Sequence, residues 1–536
     1  MLRSRIAALR ARLAAGAGAG EGVGRQPPST VPWSSRASSS FSDAAAAATE
    51  QAVAASAAWP DRLSLPISSS SSSSSSSTPI YDTIVVGLGA QGSSALYHLA
   101  RQQSSSSPSS RVLGIEAAPT CGHSSASHGG DTRITRQAYF ESPTYVPLLR
   151  RSYALTAELE RLVKRQLFWR TGVIHAGGRL YEGALAAAQL HGVEHEVMVA
   201  ADGSSSRWPG YSFPKNYPVL WEPGAGILAP DLMIRAHTAA AVATGQADVV
   251  CGDGVKAWGS DGVSGLVAVE TQSGRVFAAR RALILAAGAW MPRLVPELAG
   301  LAVPRRYTVA WLEAAEKSDD YALGAFPPFL VEEPGTGVPY YGFPAWPHEG
   351  AAGSGAVVGG RSEDEPDDDE RHRRRRSAVK LGAFLPSSGD LSEGGKADPG
   401  ANLERSMTAE DERAVRSFAD ACLPGLKGGE VASFAACIFT DTPDGHFVVD
   451  AHPRFDGKGS GARVVLCSAC SGHGFKLSPA VGEALADLVS GGGAAVQKRY
   501  GGGEDVLGLH RLRADRPGVA EVMERFHRGE GTTTEG

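Results

Sequence analysis

Tyr81-Asp82-Thr83-Ile84-Val85-Val86-Gly87-Leu88-Gly89-Ala90-Gln91-Gly92 decides how this chain folds. The β-branched run before Gly87 has the character of a buried strand. Ser93 to Gln102 reads as a helix, and Arg111 to Ile115 as a second strand that ends in Glu116. A Gly-x-Gly-x-x-Gly turn between a strand and a helix is the dinucleotide-binding fingerprint. Gly87, Gly89 and Gly92 let the chain turn tightly and let backbone approach a pyrophosphate at the helix N-terminus. The Glu116 carboxylate accepts ribose hydroxyl protons, and its charge disfavours a 2′-phosphate, so NADP is not expected. Gly87 and Glu116 lie further apart than the roughly 20 residues usual for this motif. The serine-rich piece Ser104 to Ser110 accounts for the excess as a loop. The fingerprint alone leaves NAD and FAD open.

At 536 residues the chain is long enough for two or more domains. Residues 1–80 stand apart. They hold Arg3, Arg5, Arg10, Arg12, Arg25 and Arg36, with only Glu21 and Asp43 as acids before residue 49, and they close in serines from Ser68 to Ser77. This is the profile of an organellar transit peptide and linker, with residues 2–13 forming a basic amphipathic helix. Mitochondrion and chloroplast fit equally. The final Thr-Thr-Thr-Glu-Gly is not a peroxisomal address. A net charge of −5 with interspersed charges gives no basic stripe for nucleic acid. No apolar run reaches the roughly 18 residues of a membrane span. Six cysteines are too sparse for a disulfide scaffold. Cys467 and Cys470 form a CxxC pair, but it ends the apolar run Val464-Val465-Leu466 and is expected to be structural.

Four further stretches carry chemistry. Ser127-His128-Gly129-Gly130-Asp131-Thr132-Arg133-Ile134-Thr135-Arg136-Gln137-Ala138-Tyr139 places Arg133 and Arg136 three apart, on one face if helical. They are either a solvated pair or an anion clamp. Ala282 to Trp290 reads as a strand ending in a small-residue turn at Gly288. Cys437-Ile438-Phe439-Thr440-Asp441-Thr442-Pro443-Asp444 offers a sulfur that is either a core thiol or a flavin tether. Ser471-Gly472-His473-Gly474-Phe475-Lys476 is a Gly-rich turn ending in a cation, followed by Ser478-Pro479 as cap and first turn of a helix from Ala480 to Leu488. The flanking glycines favour a backbone-positioning role for His473 over acid–base work.

This ordered set resembles the monomeric sarcosine oxidase and peroxisomal sarcosine/L-pipecolate oxidase family, within the wider group of glycine and D-amino-acid oxidase folds. The resemblance covers about residues 81 to 490 and includes Tyr341-Gly342-Phe343-Pro344. It implies an α/β protein: a Rossmann-like FAD-binding domain with a second, mostly antiparallel-sheet substrate domain. It also implies FAD held through an 8α-cysteinyl thioether at Cys437, in an enzyme that oxidises a secondary or N-methyl amino acid by hydride transfer to the flavin. The imine hydrolyses and O2 becomes peroxide. By resemblance Arg136 and Lys476 clamp the substrate carboxylate and Arg133 lies beside the flavin ring. Thr132, Val255, Gly288, Gly472, His473, Gly474 and Phe475 join the cofactor contacts. The Arg fork suits a carboxylate.

The same resemblance exposes departures. The family has a lysine that promotes reaction with oxygen, in a Lys-x-x-x-His pattern on the strand after Tyr341-Gly342-Phe343-Pro344. That strand reads as Gly355 to Arg361, which puts Val357 at the lysine position and Arg361 at the histidine position. Phe439 replaces an aromatic hydroxyl and Gly129 a second histidine, while Cys470 stands where a large apolar residue is usual. The pocket is thus expected to be more apolar and roomier, leaning towards pipecolate or proline. Expected boundaries are 81–170, 229–303 and 444–490 for the FAD-binding domain and 171–228 and 304–443 for the substrate domain. Residues 362–400 are expected as a solvated charged and Gly/Ser insertion, 491–536 as a polar tail, and the whole as a monomer. Three activities remain: an oxidase, the same half-reaction with another acceptor as a dehydrogenase, and a non-catalytic flavoprotein. Arg136, Lys476 and Cys437 together speak against the last; Val357 separates the first two.

Overall fold

The computed structural model describes residues 78–103, 111–200, 207–260, 265–348, 368–455, 461–468 and 470–500. The expected leader and its serine run, the loop Ser104 to Ser110, the strand assigned to Gly355 to Arg361 and the chain beyond residue 500 lie outside the described residues.

The first sheet grows from Ile80–Val86, which pairs in parallel with Val112–Glu116 on one side and Val276–Leu285 on the other. Ala247–Cys251 extends it past Val112–Glu116, and Val464–Ser468 lies parallel along Val276–Leu285. Successive side chains leave a strand on opposite faces, and here both faces are buried. Val85 and Ile284 share an apolar core with Leu96, Leu99, Met233, Ile234, Val481 and Leu485 of the helices Ala90–Gln102, Pro230–Ala243 and Ser478–Tyr500. Ile84, Val86, Leu283 and Leu285 turn the other way, onto Val267, Val269, Met291 and Leu298. Parallel strands covered on both sides read as continuous apolar runs, as this one does.

The second sheet has eight strands in the order Val431–Asp441, Val303–Leu312, Val379–Ala383, Pro339–Phe343, Phe329–Glu332, Val173–Ala176, Pro218–Glu222 and Glu196–Val199. Its pairings are antiparallel except that of Phe329–Glu332 with Val173–Ala176. A small antiparallel sheet joins Arg133–Thr135, Gly226–Leu228 and Phe168–Arg170. The expected α/β fold with a mostly antiparallel second sheet is therefore present.

Four local expectations are corrected. Arg133–Thr135 is a strand, because β-branched Ile134 and Thr135 find a partner in Gly226–Leu228. Both edges of Pro339–Phe343 are taken, by Phe329–Glu332 and by Val379–Ala383, which sets Phe343 opposite Lys380; Val357, the residue expected at the lysine position, lies outside the described residues. The charged block misled because it precedes Val379–Ala383 instead of following it: Asp368–Ser377 is a helix whose Arg374 binds Glu313 and Glu430 at 2.8 and 2.7 Å. The expected solvated insertion is corrected over part of its length: Val379 and Leu381 are core and Leu391 packs near Ala289 and Ile438, while residues 362–367 lie outside the described residues. Finally, the 3-10 turn Phe475–Leu477 runs directly into the helix Ser478–Tyr500, so Ser478 is not a cap and its hydroxyl is buried without a partner. That helix passes a non-helical Gly492 and covers the start of the expected tail.

Candidate active site

The strand Ile80–Val86 hands the chain to Gly87 at φ +85°, where a Cβ would lie 2.5 Å from the Ala286 carbonyl oxygen. A Cβ on Gly92 would lie 1.8 Å from the Gly87 carbonyl oxygen, so the helix start rests on the turn. Gly89 differs: a Cβ there meets nothing within 4 Å. It faces a cavity of about 1440 Å³, larger than the roughly 300–1,000 Å³ of a single small-ligand pocket. No side chain caps the helix Ala90–Gln102 at Gly89, which leaves its first N–H groups for an anion.

Glu116 completes this end. Its carboxylate accepts from the Leu88 and Ala118 amides at 2.9 and 3.0 Å. Burial opposes its charge, but hydrogen bonds from His123, Ala118 and Leu88 outweigh that and hold the carboxyl below its usual range. A carboxylate has about four acceptor positions, so the two amides and His123 leave room for a ribose hydroxyl. Of the residues assigned to cofactor, Gly87, Gly89, Glu116, Arg133, Val255, Gly288, Gly472, Gly474 and Phe475 line this one cavity. Its size, the open cradle at Gly89 and the carboxylate fit FAD. Gly92, Thr132, Cys437, His473 and Lys476 stand behind or beside the lining. Among the described residues no cluster of metal-ligating side chains occurs, and no helix is long and apolar enough to cross a membrane.

A charged cluster adjoins the Gly472–Gly474 rim. Glu222, fully buried, accepts from the Gln137 and Ala138 amides at 2.7 and 3.0 Å and so fixes the segment after Arg136. Arg136, 2% exposed, donates from Nη2 to both Glu141 oxygens at 2.6 and 2.7 Å and from Nη1 to the Ala138 carbonyl; its Nε has no partner. Burial opposes the Glu141 charge, yet Arg136, with His473 and Lys476, holds that carboxyl down to about 2. Lys476 Nζ donates to the His473 carbonyl at 2.8 Å. Burial, reinforced by Arg136, lowers Lys476 to about 7. Both cations pack on the Tyr139 ring, Arg136 at 4.4 Å and Lys476 at 5.1 Å from its centroid. His473 Nε2 lies 2.8 Å from the Gly445 carbonyl, which can only accept, so Nδ1 accepts from the Tyr139 hydroxyl at 2.6 Å. Burial depresses His473 to about 4, and both ring nitrogens are engaged within the protein.

On the other side lie Arg133 and Lys380. Arg133 binds the carbonyls of Ser127, Gly129 and Thr132 at 2.8–2.9 Å, which folds its guanidinium onto its own loop. Lys380, 3% exposed, donates to the Gly130 and Thr132 carbonyls at 2.5 and 3.1 Å and to the Thr132 hydroxyl at 3.0 Å. Burial, then Arg133, pushes its pKa well below the usual lysine range. Three acceptors match the three N–H groups of an ammonium, so the geometry favours the charged form. Cys437 lies on Val431–Asp441 opposite Tyr307, within electrostatic reach of Tyr341 and Lys380. Phe439 lines the cavity and stacks on Tyr307 at 4.4 Å. With Phe384 it packs over Gly472, making an apolar wall there. Cys470 also lines the cavity.

A family model described as FAD dependent oxidoreductase matches residues 82–488. The chain belongs to that family. Monomeric sarcosine oxidase from Bacillus sp. (strain B-0618) is 34% identical over 76% of this chain and 92% of its own. N-methyl-L-tryptophan oxidase from Citrobacter koseri is 31% identical over 77% and 95%. Among solved structures, glycine oxidase from Geobacillus kaustophilus superposes with a TM-score of 0.55 at 20% identity, over 77% of this chain and 95% of that one. Within this oxidoreductase family the chain is an FAD-dependent amine oxidase type of enzyme. Sequence reading missed Lys380 and Glu141. The alternation Val379-Lys380-Leu381 was a signal for the first; Glu141, five residues past Arg136, had none.

The two glycines separate folding from cofactor binding. Gly92→Ala is expected to cost about 1–3 kcal/mol or more through overpacking, read as a lower denaturant midpoint. Gly89→Ala should leave that midpoint nearly unchanged but lower the FAD content of the purified protein.

Proposed function

We propose that the chain oxidises the C–N bond of a secondary or N-methyl amino acid, giving an imine that water hydrolyses, and passes the electrons to O2 to make hydrogen peroxide. The observation that carries this reading is the pair of buried cations, Arg136 and Lys476, packed on Tyr139 beside the cofactor cavity. Bound flavin supplies the electron acceptor for the C–N step. Arg136 offers its fork to the substrate carboxylate, in competition with Glu141. Lys476 supplies a second donor that fixes orientation. Charge-assisted hydrogen bonds contribute on the order of 1.5–3 kcal/mol each, enough to place a small amino acid. The names of the sarcosine and N-methyl-L-tryptophan oxidases support an N-methylated or secondary amine. The Phe439 and Phe384 wall supports an apolar or cyclic substituent.

Lys380 favours O2 over another acceptor. A buried ammonium stabilises the negative charge that oxygen acquires on reduction. Cys437 is the proposed flavin tether, with its sulfur on the strand that also presents Phe439.

The substrate class is tested by adding sarcosine, N-methyl amino acids, L-proline and L-pipecolate without air and following flavin bleaching. At least one should bleach it; bleaching by none overturns the reading. Lys380→Met is expected to keep anaerobic bleaching yet slow recovery in air by about 10²-fold or more. Equal recovery in both proteins would remove O2 from Lys380's role.

Carboxylate binding uses charged Lys476, whose pKa is about 7. Binding is therefore present below that pH and weakens as pH rises through it. The Kd of propionate, read from the flavin spectrum, should rise above neutrality in the parent protein and show no such limb in Lys476→Met.

Acid precipitation should leave the yellow colour in the pellet of the parent protein and in the supernatant of Cys437→Ser. Colour in the supernatant of both would exclude the tether.

A further inference from the structure

Two thiols outside the amine-oxidising machinery meet in the wall of the cofactor cavity. Cys251 ends the strand Ala247–Cys251, and the sheet register sets it beside Glu116. Cys121 lies in the turn that follows Glu116. Backbone knits the two segments together, since the Gly252 amide donates to the Ala118 carbonyl at 2.8 Å. The two Sγ atoms are 3.7 Å apart, and both residues line the cavity. A disulfide needs about 2.0 Å, so rotation of two side chains has less than about 2 Å to cover. Cys121 is buried and Cys251 only partly so, which makes Cys251 the sulfur open to a reagent.

We propose that Cys121 and Cys251 form a peroxide-oxidisable dithiol that closes to a disulfide across the Glu116 end of the cofactor cavity. Cys251 attacks first. As a thiolate it would accept a hydrogen bond from the Cys121 thiol, an arrangement that favours the lower pKa on Cys251 and the higher one on Cys121. The Cys251 thiolate takes one oxygen, as hydroxyl, from hydrogen peroxide, and with a proton the other oxygen leaves as water. The Cys121 thiol then attacks the resulting sulfenic sulfur, and its proton departs with the hydroxyl as a second water. Two thiols lose two electrons and two protons, and one peroxide becomes two waters. The CxxC pair is the weaker candidate, because burial raises the pKa of both Cys467 and Cys470 and leaves neither a ready thiolate.

The bond would tie the turn after Glu116 to the end of the neighbouring strand. The carboxylate that faces the ribose then rests on a covalently closed wall. The test adds its own oxidant, so it stands apart from the substrate and acceptor proposed above. Full-length protein with cofactor bound is exposed to hydrogen peroxide, blocked with N-ethylmaleimide and digested with trypsin without reductant. Trypsin isolates Cys121 in residues 112–133 and Cys251 in residues 236–256, one cysteine in each. The expected result is a linked pair of these two peptides, at least a tenfold loss of their alkylated forms, and recovery of both with dithiothreitol. Cys121→Ser should leave Cys251 trapped as a dimedone adduct with no linked peptide. Full alkylation of both cysteines in the parent protein, overoxidation without a link, or a link confined to Cys467 and Cys470 would each overturn the proposal.

Discussion

The contact between Gly92 and the Gly87 carbonyl is the constraint on which the rest depends. With no side chain at either glycine, the helix Ala90–Gln102 can sit directly on the turn that follows the first strand. That seating aims the helix N-terminus into the cavity and brings the strand end against Ala286. The cofactor's adenosine side is organised by backbone and one carboxylate. Its flavin side is organised by charge.

Four cations, Arg133, Arg136, Lys380 and Lys476, converge on that second side, and their partners differ in kind. Arg133 and Lys380 are held by carbonyls and a hydroxyl, which orient them without neutralising them. Arg136 is held by the Glu141 carboxylate, which does neutralise it. Lys476 donates to the His473 carbonyl, and burial together with Arg136 makes its proton easier to lose. Burying unpaired charge is unfavourable. An incoming anionic group would relieve that repulsion, which is the physical ground for the carboxylate binding proposed for this site.

Local spacing made the adenosine side legible in the sequence. Strand, Gly-x-Gly-x-x-Gly, helix and Glu116 follow one another within a single unit, and each has a backbone reason to be there. The flavin side is assembled from segments more than 300 residues apart, so its motifs could be found but their contacts could not. Arg133 and Arg136 illustrate this. Their spacing suits a helix, but the pairing of Ile134 with Ile227 overrides it, and strand geometry then sends the two guanidinium groups to separate partners. Lys380 escaped for a different reason. A five-residue strand beside a run of arginines has too little pattern to compete with a longer apolar stretch at Gly355 to Arg361, and only its hydrogen bonding to Pro339–Phe343 identifies it.

The ladder between Val303–Leu312 and Val431–Asp441 has a consequence for biosynthesis. Nine consecutive pairings, from Val303 with Asp441 to Trp311 with Ser433, set Tyr307 against Cys437, and a slip of one residue would turn every side chain of the strand to the opposite face. A misregistered chain would then present Ala436 or Ile438 where the sulfur belongs. If Cys437 is the tether, as proposed, thioether formation there would act as a quality check on assembly: only chains whose strands had found their correct partners would mature into a permanently coloured protein.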